Sequence, residues 1–116
     1  MVNPGVNETK DEPEYSLAAV HRIAGFKQVI YVSRRIQRHV DDLGYGLDDV
    51  CHQLCSLREH HFHKSERYDN DSRWHDVYLL PHPVPSDPDE RLYIKFRLTH
   101  DCVYIDLCSF HPEGWQ

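Results

Sequence analysis

Phe62-His63-Lys64-Ser65 and, one short turn later, Trp74-His75-Asp76-Val77-Tyr78 put a lysine and an imidazole on what read as two consecutive strands. That pairing suits phosphate chemistry without a metal. A cation offsets charge building on a pentacoordinate phosphorus, and an imidazole that titrates near neutral pH moves a proton. Lys64, just before its strand, is a candidate phosphate clamp, and His75 a candidate base or acid. Farther along, Leu92, Ile94, Phe96 and Leu98 alternate with Tyr93, Lys95 and Arg97, so a phenol and two cations share the face opposite an apolar row. On residue types alone, such a row is also what an ordinary solvated strand face looks like.

The elements that must carry these residues follow from periodicity. Leu17, Val20, Ile23 and Ala24 fall at helical spacing after Ser16, which predicts a first helix to about Phe26. A second starts after Ser33 as N-cap, with Ile36, Val40 and Leu43 on one face and Gly44 as its stop. Asp48 is expected to cap a third, whose stripe is Val50, Leu54 and Leu57. After Phe62 the period drops to two. Strands are expected over 65–68, 73–80 and 92–98, with a turn at 69–72. Pro81 to Glu90 holds four prolines and reads as an extended loop. The last strand is expected to bury Val103, Ile105 and Leu107. Helices first and strands afterwards imply an α+β domain, with the N-terminal helices packed on one face of an antiparallel sheet.

At 116 residues the chain is one domain. Residues 1–14 read as a disordered acidic tail, punctuated by Pro4, Gly5 and Pro13, and 15–116 as the single folded domain. No apolar run reaches the roughly 20 residues that span a bilayer, and no secretory leader is visible, so a cytoplasmic protein without membrane contact is the expectation. Cys51, Cys55, Cys102 and Cys108 are then expected as reduced thiols. The net charge of −6 argues against nucleic-acid binding, which draws its affinity from Lys and Arg. Half of it is local: Glu8, Asp11, Glu12 and Glu14 against Lys10 give −3 in the first 15 residues and leave −3 for the rest.

The ordered set F-H-K-S, W-H-D-V-Y, the upstream Gly46-Leu47-Asp48 and the downstream Leu92-Tyr93-Ile94-Lys95 resembles the signature of the MqsR family of toxin endoribonucleases. That family usually reads F-Y-K-S, W-Q-D-V-Y, G-L-D or G-F, and V-Y-L/V-K, and the resemblance covers about Tyr15 to Phe110. It implies a RelE-like toxin fold and cleavage of single-stranded mRNA at a short motif. The cut needs no cofactor or metal and leaves a 2′,3′-cyclic phosphate. It also implies a cognate antitoxin protein that neutralises the toxin and helps repress their shared genes. Assembly stays open between a homodimer and a toxin–antitoxin hetero-oligomer. Tyr93 matches the family's catalytic tyrosine and Lys64 its catalytic lysine.

Two departures bear on activity. Where the family has Gln this chain has His75, which can titrate as well as position. The family ends its last strand S-F-K, and no lysine stands there. One alignment puts Cys108 at that place, another His111, and a protonated His111 can substitute for the lysine in substrate binding. Lys95 and Arg97 are the other candidate backbone binders.

Rival readings are a zinc site from Cys51, Cys55, His61 and His63, and a helix-turn-helix over Ser33 to Leu57. The zinc reading is weakened by cysteines bordering an apolar stripe, and the DNA reading by Asp48-Asp49 opening the recognition helix. A third rival is a toxin-like fold that binds a protein partner and cleaves weakly or not at all. The acidic charge and the absent lysine favour it.

Overall fold

A computed structural model describes residues 5–115. Three helices, α1 (Leu17–Gly25), α2 (Arg34–Asp42) and α3 (Leu47–Cys55), pack on a six-stranded sheet in an α+β fold. The strands are β1 (Val6–Lys10), β2 (Val29–Tyr31), β3 (Phe62–Tyr68), β4 (Asp71–Pro81), β5 (Arg91–Leu98) and β6 (Ile105–Pro112), in the spatial order β1-β3-β4-β5-β6-β2. All neighbours are antiparallel except β2, which runs parallel to β6.

The helix boundaries follow local chemistry. Ser16 Oγ accepts from the Ala19 N–H and opens α1. Gly44, at φ +75°, closes α2: the next amide, Tyr45 N–H, reaches back to the Val40 carbonyl, a turn that needs a left-handed residue. The third helix starts earlier than expected. Its N-cap is Gly46, and Asp49 Oδ2 accepts from the Gly46 N–H at 2.8 Å. Asp48 instead pairs with Lys27 at 2.7 Å on the surface.

One continuous core joins the helix stripes (Val20, Ile23, Ile36, Val40, Val50, Leu54, Leu57) to the inner face of the sheet (Tyr78, Leu80, Leu92, Ile94, Phe96, Leu98, Ile105, Leu107, Phe110). Phe96 stacks on Tyr78 at 5.7 Å, and Phe62 meets Tyr78 edge-on at 5.5 Å. The helix-turn-helix reading fails here, because α2 packs on β6 and α3 on α1 with their apolar faces buried.

Three further features depart from what the sequence suggests. The stretch read as a disordered tail holds β1, which pairs with β3 over Val6–Lys10; Met1 to Pro4 of that stretch lie outside the described residues. An edge strand buries little side-chain surface, so composition does not betray it; its partners are backbone groups and a few ion pairs. Arg67 pairs with Glu8, and Lys10 and Arg67 sit over the Trp74 ring at 4.4 and 4.6 Å. The second is β2, three residues between α1 and α2, too short to show a period. The third is the last strand, which begins at Ile105; Val103 lies exposed in the preceding turn.

Asp76 ties the N-terminal segment to the sheet. It is fully buried on the helix side, and its carboxylate accepts from the Glu14 N–H at 3.0 and 3.1 Å and from the Tyr15 N–H at 3.0 Å. Tyr15 Oη donates to the Trp74 carbonyl at 2.7 Å. Replacing Asp76 by Ala removes the carboxylate that faces two amides and leaves a void. The expected cost is about 2–4 kcal/mol in chemical denaturation, because unpaired buried donors keep their desolvation penalty. A loss under about 0.5 kcal/mol would show that the segment is held by β1 alone.

Candidate functional site

The outer sheet face is polar because two strands change parity. Residues i and i+2 of a regular strand share a face. In β3 the ladder pairs Phe62 with Tyr78 and then Lys64 with Val77, so one extra residue, His63, sits in the bulge. Phe62 therefore packs on the core while Lys64 turns outward. In β6 Leu107 pairs with Phe96 and Ser109 with Lys95, which leaves Cys108 as the extra residue. Leu107 and Phe110 both point into the core, and His111 points outward beside its pairing partner Tyr93. Both Cys108 and His111 thus belong to the polar face.

Lys64, Val77, Lys95 and Ser109 align across four strands. Lys95 Nζ donates to Tyr68 Oη at 2.6 Å, and Tyr68 Oη donates to Glu66 Oε1 at 2.7 Å. Lys64 Nζ lies 3.3 Å from Glu66 Oε2. Burial lowers the Lys95 pKa, and the Glu66 charge works against that shift. Burial also disfavours the Glu66 carboxylate, yet the Tyr68 hydroxyl and the lysines outweigh it and keep the pKa below normal. The phenol of Tyr68 is pushed far up by burial and by Glu66, so it stays a donor.

Arg97 is held on all sides. It donates to Asp106 Oδ2 at 3.2 Å, to His75 Nε2 at 2.9 Å and to Cys108 Sγ at 3.5 Å, and lies 3.5 Å from Asp71. A guanidinium only donates, so Nε2 of His75 is the acceptor nitrogen. His75 is 3 % exposed, packed edge-on against Tyr68 at 5.0 Å, and its Nδ1 has no hydrogen-bond partner among the described residues. Burial and then the Arg97 charge lower its pKa, so the ring is neutral. Asp71, bound by Arg73, has its pKa held down at about 2 and stays ionised.

Tyr93 and His111 stack at 5.4 Å with rings 16° from parallel. His111 Nδ1 lies 2.8 Å from the Pro112 carbonyl, which can only accept. The proton is therefore on Nδ1 and Nε2 carries the lone pair. Burial lowers the His111 pKa, so this base form dominates near neutrality. Burial lifts Tyr93 to about 12, so its phenol is protonated. The His39 ring of α2 meets His111 edge-on at 5.0 Å.

An open cleft of about 420 Å³ gathers His75, Lys95 and Arg97 with Tyr68, Asp71 and Cys108, under Val32. His111 lies next door, in a smaller hollow of about 120 Å³ with Arg35 and His39, and Cys108 walls both. Lys64 joins through Glu66, and Tyr93 through His111. Glu66, Tyr68, Asp71 and Asp106 were missed in the sequence. For the first two the signal was present, since Lys64, Glu66 and Tyr68 keep period two along β3. The zinc reading fails on placement. Cys51 is in the core, Cys55 Sγ lies 3.7 Å from the His21 carbonyl, and His61 Nδ1 accepts from the Arg58 N–H. Among the described residues no three such side chains converge as a metal site, and none of the cysteines is paired.

On the other face of β4 Tyr78 is buried in the core, and Trp74 lies under two cations. No helix of the described residues is long and apolar enough to cross a membrane.

Comparison with known proteins agrees with the motif resemblance. The chain is 28 % identical over 97 residues to the mRNA interferase toxin MqsR of Escherichia coli (strain K12), covering 83 % of this chain and 93 % of that protein. The family model described as motility quorum-sensing regulator, toxin of MqsA, matches residues 12–112, so the chain belongs to the MqsR toxin family.

Proposed function

We propose that the chain is an endoribonuclease toxin that cleaves single-stranded mRNA without a metal, acts in the cytoplasm, and is neutralised by a protein antitoxin. The observation that carries the catalytic part is His111. Its tautomer is fixed by the Pro112 carbonyl, leaving a basic Nε2 on the same face as Lys64, Lys95 and Arg97. In this reading Nε2 takes the proton of the ribose 2′-OH. The 2′-oxygen attacks phosphorus, the bond to the 5′-oxygen breaks, and a 2′,3′-cyclic phosphate remains. Lys95 stands two residues from Tyr93 on β5, a Cα separation of about 7 Å, and protonates the leaving oxygen. Lys64 and Arg97 offset the phosphorane charge, and the protonated phenol of Tyr93 donates to a phosphate oxygen.

His75 takes a different part from the base or acid that its type suggests. Its acceptor nitrogen is engaged by Arg97, so it can take a proton only if Arg97 lets go. It orients the guanidinium instead. Wild type and Lys64→Ala should first be induced in a bacterial host and total RNA mapped for new 5′-hydroxyl ends. Growth arrest with cuts at a recurring short motif, abolished by the substitution, is expected. A folded wild type that neither arrests growth nor cuts would favour the rival reading, a weakly active or inactive toxin-like fold that acts by binding a partner.

The pH profile separates the two histidines. A base with a lowered pKa works above that pKa and fails as it protonates, so the wild-type rate should fall on the acid side with a midpoint below 6.5. His111→Gln should remove this limb and cost roughly 10²-fold or more in kcat. His75→Gln should keep it, since the amide oxygen still accepts from Arg97. The opposite pattern would return the base role to His75.

A further inference from the structure

Glu66 is a carboxylate with 3 % exposure lying under a cleft whose ligand would be anionic. That placement is costly unless the charge does something, because a buried carboxylate must be compensated. Its two oxygens are divided between the two lysines. Oε1 accepts from Tyr68 Oη at 2.7 Å and lies 3.8 Å from Lys95 Nζ. Oε2 lies 3.3 Å from Lys64 Nζ, an ion pair whose alignment falls short of a hydrogen bond. Tyr68 completes the link, since its hydroxyl accepts from Lys95 at 2.6 Å, with the ring centre 5.0 Å from that ammonium.

We propose that Glu66, acting partly through Tyr68, is a positioning residue that holds Lys64 as the phosphate clamp and Lys95 as the proton donor on a single phosphodiester. The proposal rests on the nuclease reading of this face and adds the device that organises its cations. Two flexible ammonium groups brought to one phosphate repel each other and must lose rotamer freedom. A carboxylate between them offsets the repulsion and fixes both stems beforehand. At 3 % exposure and bonded to Tyr68, Glu66 stays in place when a ligand enters the cleft. Each ammonium carries three donors, so hydrogens not aimed at Glu66 or Tyr68 remain for phosphate oxygens.

The other cations, Arg97 and Arg73, are both engaged by Asp71 and Asp106, and Tyr68, His75 and Cys108 line the cleft beside Lys95, so Glu66 is the carboxylate paired with both lysines. Removing its charge while keeping its shape should change where Lys95 titrates. Glu66 favours the ammonium form, so in Glu66→Gln Lys95 should lose its proton at lower pH.

The test uses the full chain with ¹³C-labelled lysine, following the Lys95 Cε shift against pH, with kcat and KM on a single-stranded RNA measured in parallel. In Glu66→Gln the Lys95 midpoint should fall by about one unit, with kcat down tenfold or more. KM should stay the same or fall, since a negative charge has left the site. Tyr68→Phe keeps the ring against His75 but cuts the link, and should lower kcat with little change in KM; it serves if Glu66→Gln fails to fold. An unchanged Lys95 midpoint with kcat within twofold, in a variant of unchanged Tm, would overturn the proposal. A shifted midpoint in a protein whose wild type cuts no RNA would keep Glu66 as the organiser of the lysine pair while overturning the nuclease reading on which the clamp depends.

Discussion

A single sheet with helices on one side can present only one polar face, and every chemical group of this protein must reach it. Strict alternation along β3 and β6 does not allow this. If β6 kept its period from Ile105 and Leu107, His111 would point into the core and Phe110 into solvent. The bulge at Cys108 reverses the parity, and the bulge at His63 does the same for Phe62 and Lys64. Each bulge satisfies the core on one side of the break and the cleft on the other. Phe62 and Phe110 are therefore as necessary to the site as the residues that line it. Without their apolar demand, nothing would hold the strands in the shifted register.

The second constraint is electrostatic. An acidic protein builds a cationic face by giving its cations buried or half-buried counter-ions: Glu66 for Lys64 and Lys95, Asp71 and Asp106 for Arg73 and Arg97. Such pairing lowers long-range attraction for a polyanion but fixes donor geometry, which matters more for transition-state stabilisation than for capture. The formal charge of −6 therefore describes the whole surface, including the acidic stretch before α1, and is a poor guide to the cleft. His75 extends the same logic, since a neutral ring that accepts from Arg97 orients a cation without neutralising it.

How much was legible in the sequence follows from which signals are periodic. The outward row Tyr93, Lys95, Arg97 was plain, because β5 is regular over its whole length and buries every second residue. The helices were equally plain in their stripes, although α3 begins at a glycine N-cap that Asp49 serves in place of Asp48. What escaped was aperiodic. Bulges leave no period of their own, so Cys108 and His111 read as competing alignments when both lie on one face. The strand β1 is held by backbone pairing at an acidic edge, and β2 has only three residues. Glu66 was passed over because a charged residue near a strand start is usually solvated; its burial and its bond to Tyr68 are tertiary facts.

Cleavage through the ribose 2′-hydroxyl with side chains alone, as proposed for this face, is open to a direct test. Purified protein should therefore be incubated, in excess chelator, with a single-stranded RNA and with the same strand carrying a 2′-deoxy sugar at the cut position. The first should be cleaved to a 2′,3′-cyclic phosphate and a 5′-hydroxyl, and the second left intact. Cleavage of the deoxy strand, products ending in a 5′-phosphate, or activity only when a divalent metal is restored would contradict the proposal.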